Sequence, residues 1–104
     1  MSKGYTYPIS YVLMVIKFLK WRYERYGNNS KCFTYHGIIA WAKRSKTYSD
    51  LEETTIERYI RKLAEDRFLD RVRERPRALF CLNEEKVREY IKRLGIPIEW
   101  EIWE

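Results

Sequence analysis

The sequence is poor in the residue types that usually carry chemistry, with one histidine, two cysteines and four glycines among 104 residues. With His36 alone, no Ser/His/Asp or Cys/His catalytic set is evident, and no second histidine is available as a metal ligand. Two cysteines are too few for the usual zinc site, and four glycines argue against a phosphate-binding loop. We therefore expect no enzyme, no metal and no cofactor.

The chain also lacks a long hydrophobic run. Its longest apolar stretch, residues 11–16, is far shorter than the ~20 residues that a membrane span needs. No apolar stretch followed by small residues marks a secretory signal peptide. A length of 104 residues, with 45% hydrophobic and 35% charged side chains, predicts one small folded domain in the cytoplasm.

Charge is plentiful and uneven. Lys and Arg number 21 against 15 Asp and Glu, which gives a net charge of +6. Residues 1–50 hold nine basic and two acidic side chains, whereas residues 51–104 hold twelve and thirteen. A basic domain inside a cell most often binds a polyanion, and nucleic acid is the usual one. Glutamine is absent while Lys, Arg, Glu, Tyr and Ile are abundant, a composition typical of a thermophile.

Hydrophobic periodicity and helix caps divide the chain into short elements. Ile56, Tyr59, Ile60 and Leu63 follow i, i+3, i+4, i+7 spacing, which indicates an amphipathic helix. Thr34 and Asn83 are suited to cap the helices that follow them. The pattern predicts helices at 10–26, 35–43, 53–66 and 84–94, a brief strand at 31–35, and hairpin strands at 68–73 and 78–82.

This order of elements resembles the winged helix-turn-helix superfamily of the dimeric, archaeal type. Residues 54–69 are similar to its recognition helix running into the first wing strand, and the resemblance covers about residues 8–82. It implies a mainly α fold with a small β-hairpin (α+β) and an added C-terminal helix. The corresponding domain is residues 1–95, followed by an extended tail at 96–104.

The resemblance implies that the third helix enters the major groove of DNA and that residues 71–77 form the wing. Four arginines recur there at every second position, so we expect them to share one face of the hairpin. Guanidinium groups suit phosphate oxygens and guanine edges. The candidate DNA-binding residues are Lys43, Arg44, Lys46, Thr54, Thr55, Arg58, Arg61, Lys62, Arg71, Arg73, Arg75 and Arg77.

Two features of the sequence differ from what a winged-helix DNA-binding protein usually has. Asp50, Glu52, Glu53 and Glu57 crowd the start of the third helix, where they suit the helix dipole but would repel phosphates. A Glu there can also accept a hydrogen bond from cytosine. The second departure is Arg67, because winged-helix sequences often have glycine at this helix end. A left-handed arginine would cost about 1 kcal/mol, unless the helix ends differently.

The winged-helix resemblance also places Cys32 and Cys81 on neighbouring strands. They would form either a disulfide, which some hyperthermophiles keep inside cells, or two reduced buried thiols. The sequence leaves both alternatives open.

A second subunit is expected because the first half of the first helix is apolar on all sides. The last helix is a common dimerising appendage of the family. The predicted dimer residues are Tyr11, Val12, Met14, Val15, Val87, Tyr90, Ile91 and Leu94.

The sequence therefore predicts a homodimer that binds double-stranded DNA at half-sites about 34 Å apart. Its role would be a transcription regulator or a DNA-partition factor associated with the nucleoid. The alternative is a winged-helix module that binds a protein of the replication or transcription machinery through Trp100, Trp103 and the acidic helix start. The tail could equally pack on the domain's own surface.

Overall fold

The computed structural model of the chain describes residues 6–97, which form four helices and a small three-stranded sheet. The elements are α1 (Ile9–Tyr26), β1 (Cys32–Thr34), α2 (Tyr35–Arg44), α3 (Glu53–Glu65), β2 (Leu69–Arg73), β3 (Leu79–Leu82) and α4 (Glu84–Leu94). The fold is α+β, as predicted, and each predicted element is present within a few residues of its expected ends. The predictions for Trp100 and Trp103 lie outside the described residues.

The helix ends use the caps that the sequence predicted. The Thr34 side chain accepts a hydrogen bond from the Gly37 backbone N–H, and the Asn83 side chain accepts one from Lys86. Gly27 ends α1 with a left-handed φ of 69°, a conformation that costs glycine little. These local signals fix where α1 ends and where α2 and α4 begin.

The sheet has the strand order β1-β3-β2, and both pairs are antiparallel. Phe33 lies opposite Phe80, and Cys32 lies opposite Cys81. The two cysteine sulfurs form a disulfide. Of the two alternatives that the sequence left open, the structure therefore contains the disulfide and not two reduced thiols.

Helix α1 supplies the largest share of the core, and it is covered by the chain itself. Its buried residues are Tyr11, Val12, Met14, Val15, Ile16, Phe18 and Leu19. The Tyr11 ring stacks on Tyr59 of α3 with their centroids 4.0 Å apart. A helix that is apolar on several sides is therefore covered within one chain by α2 and α3, and by Phe33 of β1, whose ring lies edge-on to Phe18.

This packing corrects the predicted dimer surface. Tyr11, Val12, Met14 and Val15 are at most 4% exposed, and Val87 and Ile91 on α4 are at most 2% exposed. All six lie in the chain's own core and are not available to a second subunit. Of the predicted residues, Tyr90 is half-buried and only Leu94, 47% exposed, stands out from the surface.

The junction between α3 and β2 contains the strained residue that the sequence pointed to. Arg67 has a φ of 70°, the left-handed conformation. The next residue, Phe68, donates its backbone N–H to the Leu63 carbonyl at 2.9 Å, which closes the end of α3. Arg67 therefore serves as the helix-ending residue without the conformational freedom of glycine.

Candidate nucleic-acid interface

Helix α3 presents one exposed row of side chains away from the core. Thr54, Arg58, Arg61 and Glu65 follow spacings of four, three and four residues, which places them on one helix face. All four are exposed, whereas Ile56, Ile60 and Leu63 on the opposite face are fully buried. The outward row therefore carries two guanidinium groups and one carboxylate.

Two other predicted α3 residues lie beside this row. Thr55 is half-buried. Lys62 is exposed, but its Nζ lies 5.0 Å from the centroid of the Tyr7 ring, on the flank that faces the N-terminal segment. The acidic residues Glu53 and Glu57 are four positions apart and follow the other flank, beside Arg61. The face most open to a partner is thus centred on Arg58 and Arg61.

The hairpin contains a bulge that the sequence did not reveal. Arg71 lies opposite Phe80, whereas Arg73 lies opposite Leu79, so Val72 is an extra residue in β2. Paired residues in an antiparallel sheet share a face, and Phe80 and Leu79 are consecutive. The prediction that Arg71 and Arg73 share one face is therefore wrong, because the bulge reverses the alternation between them.

Arg71 is held at the base of the β2–β3 hairpin by three partners. Its guanidinium lies 5.1 Å from the centroid of the Phe80 ring, and Nη2 donates to the Tyr35 hydroxyl at 3.2 Å. Nη1 donates to Glu74 Oε1 at 3.1 Å. Arg71 also borders a hollow of about 220 Å³ together with Arg61, Ala64 and Glu65 of α3. We call this the wing hollow, and it brings α3 and the hairpin together at the surface.

The wing tip, residues 73–77, carries three further exposed arginines. The Nε of Arg73 donates to the Arg77 carbonyl at 3.3 Å, which bends the tip back on itself. Within residues 6–97, no carboxylate forms an ion pair with Arg73, Arg75 or Arg77. Their charge is therefore available to an anionic partner.

The basic residues that precede α3 lie at different places on the surface. Lys43 Nζ donates to the Leu51 carbonyl at 3.2 Å, and Lys46 is exposed in the turn between α2 and α3. Arg44 lines a groove between α1 and α2 instead. These three residues do not form one cluster in the structure.

The start of α2 adds a surface that the sequence analysis missed. A hollow of about 250 Å³ lies where α2 begins beside the β2–β3 hairpin, and it is lined by Thr34, Tyr35, His36, Arg77 and Ala78. The first turn of α2 contains no acidic residue, and a helix N-terminus attracts anions. A polar helix start without acids was visible in the sequence, but its position beside Arg77 depends on the pairing of β1 with β3.

Comparison with known protein families, with curated proteins and with solved structures finds no match for this chain. In residues 6–97, no group of three His, Cys, Asp or Glu side chains is placed to hold a metal ion. None of the helices in that same part of the chain is long and apolar enough to cross a bilayer.

Proposed function

We propose that the chain is a winged-helix protein that binds double-stranded DNA, with α3 in the major groove and the β2–β3 hairpin as the wing. The element order and the β1-β3-β2 sheet support this assignment. The observation that carries the proposal is the wing hollow, where Arg61 of α3 and Arg71 of the hairpin border the same space. One arginine of α3 and one arginine of the hairpin thus meet at the surface, together with the carboxylate of Glu65.

The two parts of this surface suit different parts of DNA. Helix α3 has 13 residues, so it is about 20 Å long and can lie in a major groove about 12 Å wide. Arg58 and Arg61 on its outward face are suited to guanine edges. Arg73, Arg75 and Arg77 at the wing tip are suited to phosphates, because guanidinium groups bind phosphate oxygens through paired hydrogen bonds.

A role as a transcription regulator or a DNA-partition factor remains part of this proposal, as does a homodimer that spans two half-sites. The six buried residues of α1 and α4 cannot supply the contact between the two subunits. A second subunit would have to use surface residues such as Leu94 at the end of α4, which is 47% exposed. Sedimentation velocity of the protein alone and with duplex measures the number of subunits bound.

A protein-interaction module is the second candidate, and the start of α3 is the observation that favours it. Glu52 and Glu53 are exposed there, and within residues 6–97 neither forms an ion pair. Such a carboxylate pair suits a basic partner surface rather than a phosphate backbone. The three unpaired arginines of the wing tip favour DNA instead.

Fluorescence anisotropy of a labelled random duplex in a salt series tests the proposal. If six to ten phosphates are contacted, the affinity falls about 10³–10⁵-fold between about 50 and 200 mM salt. The double substitution Arg73→Ala and Arg75→Ala removes two phosphate contacts. It should weaken binding about tenfold or more and lower the slope of log affinity against log salt by about 2.

The matched control is Lys17→Ala with Lys92→Ala, two exposed cations on α1 and α4. It removes the same charge from elements outside the proposed interface, so it should leave the salt slope unchanged. If the two double variants lost equal amounts of affinity, binding would depend only on the net charge of the protein, and the proposal would be overturned. Weak binding by the unaltered protein that does not depend on salt would overturn it as well.

A further inference from the structure

A groove between the C-terminal half of α1 and helix α2 lies outside the surface assigned to DNA. It has a volume of about 460 Å³, within the range of small-molecule sites in proteins. Its walls are the rings of Trp21, Tyr26 and Trp41, and its polar groups come from Arg25, Arg44 and Ser45. No acidic side chain lines it. We call it the α1–α2 groove.

The aromatic walls are held in place from behind. Trp21 and Trp41 both pack on the buried ring of Phe18, with centroid distances of 6.2 and 5.6 Å. Trp41 also contacts Tyr48, which is 4% exposed, at 5.6 Å. The two indole rings are thus fixed before any ligand arrives, which lowers the entropy lost on binding.

One wall of the groove, the Tyr26 ring, extends into solvent. Tyr26 is 67% exposed, the largest exposed hydrophobic side chain of the described residues, and its ring stands edge-on to Trp21 at 5.7 Å. An exposed aromatic beside two fixed indoles offers flat surfaces on which a planar ring can stack.

The charged groups of the groove can bind an anion, with the guanidinium of Arg25 placed 5.8 Å from the centroid of the Tyr26 ring. Within residues 6–97, neither Arg25 nor Arg44 forms an ion pair. Ser45 Oγ accepts hydrogen bonds from the backbone N–H groups of Thr47 and Tyr48 at 3.1 and 3.3 Å. Its hydroxyl hydrogen is therefore left to donate to a ligand in the groove.

We infer that the α1–α2 groove binds a nucleoside 5′-monophosphate, with the base against the indole rings and the phosphate between Arg25 and Arg44. A phosphomonoester carries a charge of about −1.5 to −2 at neutral pH, which two guanidinium groups balance. A neutral aromatic compound would leave both arginines unpaired, and inorganic phosphate would leave the aromatic walls unused. The inference goes beyond DNA binding by α3 and the wing and does not depend on it.

Isothermal titration calorimetry of the full chain with three related compounds tests the inference. Adenosine 5′-monophosphate carries both the ring and the phosphate, adenosine carries only the ring, and ribose 5-phosphate carries only the charge. We expect saturable 1:1 binding of the first compound and binding at least tenfold weaker for the other two. Equal affinity for adenosine and its 5′-monophosphate would overturn the inference.

Two substitutions in the groove and one control outside it locate the site. Arg25→Ala, in the last turn of α1, should weaken binding of adenosine 5′-monophosphate at least fivefold. Arg93→Ala removes an arginine from the last turn of α4 and should leave it unchanged. Ala40, an exposed residue of α2 that lines the groove, can be replaced by phenylalanine to fill the space, and Ala40→Phe should abolish binding. Circular dichroism confirms that each variant is folded.

The nucleotide could be free in solution or stand at the 5′ end of a nucleic-acid strand. A 5′-phosphorylated deoxyadenosine trinucleotide distinguishes the two sources. If it binds more tightly than adenosine 5′-monophosphate and the gain is lost in Ala40→Phe, the groove continues along a strand, whereas a gain that Ala40→Phe keeps belongs to the surface of α3 and the wing. Unchanged affinity in both Arg25→Ala and Ala40→Phe would place the nucleotide elsewhere and overturn the inference, whichever source is preferred.

Discussion

Cys32 on β1 and Cys81 on β3 lie directly opposite each other, and their sulfur atoms are joined in a disulfide. The bond links residues that are 49 positions apart, and the enclosed segment contains α2, α3 and β2 together with the wing tip. The proposed DNA-binding surface is therefore held within a single covalent loop. The bond also fastens the edge strand β1, only three residues long, to the centre of the sheet.

Reduction of this disulfide should lower the free energy of unfolding by about 4 kcal/mol, because a loop of this length gains that much conformational freedom in the unfolded chain. Urea unfolding with and without a thiol reductant measures the change. The double variant Cys32→Ala and Cys81→Ala has no other cysteine to react, so its unfolding curve should not respond to reductant. An unchanged midpoint for the unaltered protein under reducing conditions would contradict this prediction.

Arg67 offers a test of local backbone strain, since its φ is 70° and its side chain is exposed. Arg67→Gly should make the protein about 1 kcal/mol more stable than Arg67→Ala, because only glycine adopts the left-handed conformation without a steric cost. Comparing the two variants with each other cancels the loss of the arginine side chain. Thermal and urea unfolding provide the measurement.

The reverse substitution serves as the control for Arg67. Gly27 has a φ of 69°, and a Cβ atom added there would meet nothing within 4 Å. Gly27→Ala should therefore destabilise the protein by about 1 kcal/mol through backbone strain alone. Equal stability of Arg67→Gly and Arg67→Ala would show that the end of α3 relaxes around a non-glycine residue.

Glu84 connects α4 to Lys31, the residue before β1, and should influence how stability declines at acidic pH. Burial works against its ionisation, but the hydrogen bonds from Lys31 and Arg88 together outweigh burial and hold the pKa of the carboxyl below its usual value. Arg88 Nη2 lies 2.6 Å from Glu84 Oε1, and Lys31 contacts Oε2. A pKa that is lower in the folded state stabilises the protein above the unfolded value of 4.5, and this stability is lost as the pH falls through the folded value.

Glu84→Gln should therefore cost about 1 kcal/mol at pH 7 and flatten the decline of stability below about pH 4.5. Glu85→Gln is the matched control, since it removes a carboxylate from the same first turn of α4 without touching Lys31 or Arg88. Urea unfolding at several pH values between 7 and 3 makes the comparison. If the stability of both variants declined at acidic pH as steeply as that of the unaltered protein, Glu84 would not be the group that causes the decline.

Local signals in the sequence were sufficient for the elements and their ends. The caps Thr34 and Asn83, the stop at Gly27 and the unusual Arg67 each depend on neighbours within a few residues. The pairing of Cys32 with Cys81 followed from the resemblance in element order. These features could be predicted because each needs only short-range spacing or the order of elements.

Features that depend on packing could not be predicted in the same way. A helix that is apolar on all sides needs a cover, but periodicity does not tell whether the cover is a second chain or, as for Tyr11 against Tyr59, the same chain. The bulge at Val72 depends on how β2 fits β3 and leaves no mark in the alternation of the sequence. The α1–α2 groove joins Trp21 to Trp41 across two helices, which no local pattern reveals.

The final prediction separates base reading from backbone contact within the proposed interface. Arg58 and Arg61 stand on the outward face of α3, whereas Arg73 and Arg75 stand at the wing tip. A guanidinium bound to guanine contributes about 1–3 kcal/mol of discrimination against the wrong base, while a phosphate contact strengthens binding to every sequence alike. The two double alanine variants remove equal charge but should lose different properties. The α3 variant should lose discrimination between sequences, and the wing-tip variant should lose affinity for every sequence.

Selection from a random duplex library first supplies the preferred sequence of the unaltered protein, and a scrambled duplex of the same composition serves as the reference. Arg58→Ala with Arg61→Ala should reduce the ratio of the two affinities at least tenfold, because the lost contacts discriminate between bases. Arg73→Ala with Arg75→Ala should weaken both duplexes and keep the ratio. If the α3 variant weakened both duplexes equally, α3 would contact only the backbone, and sequence preference would have to come from the wing or from the shape of the DNA.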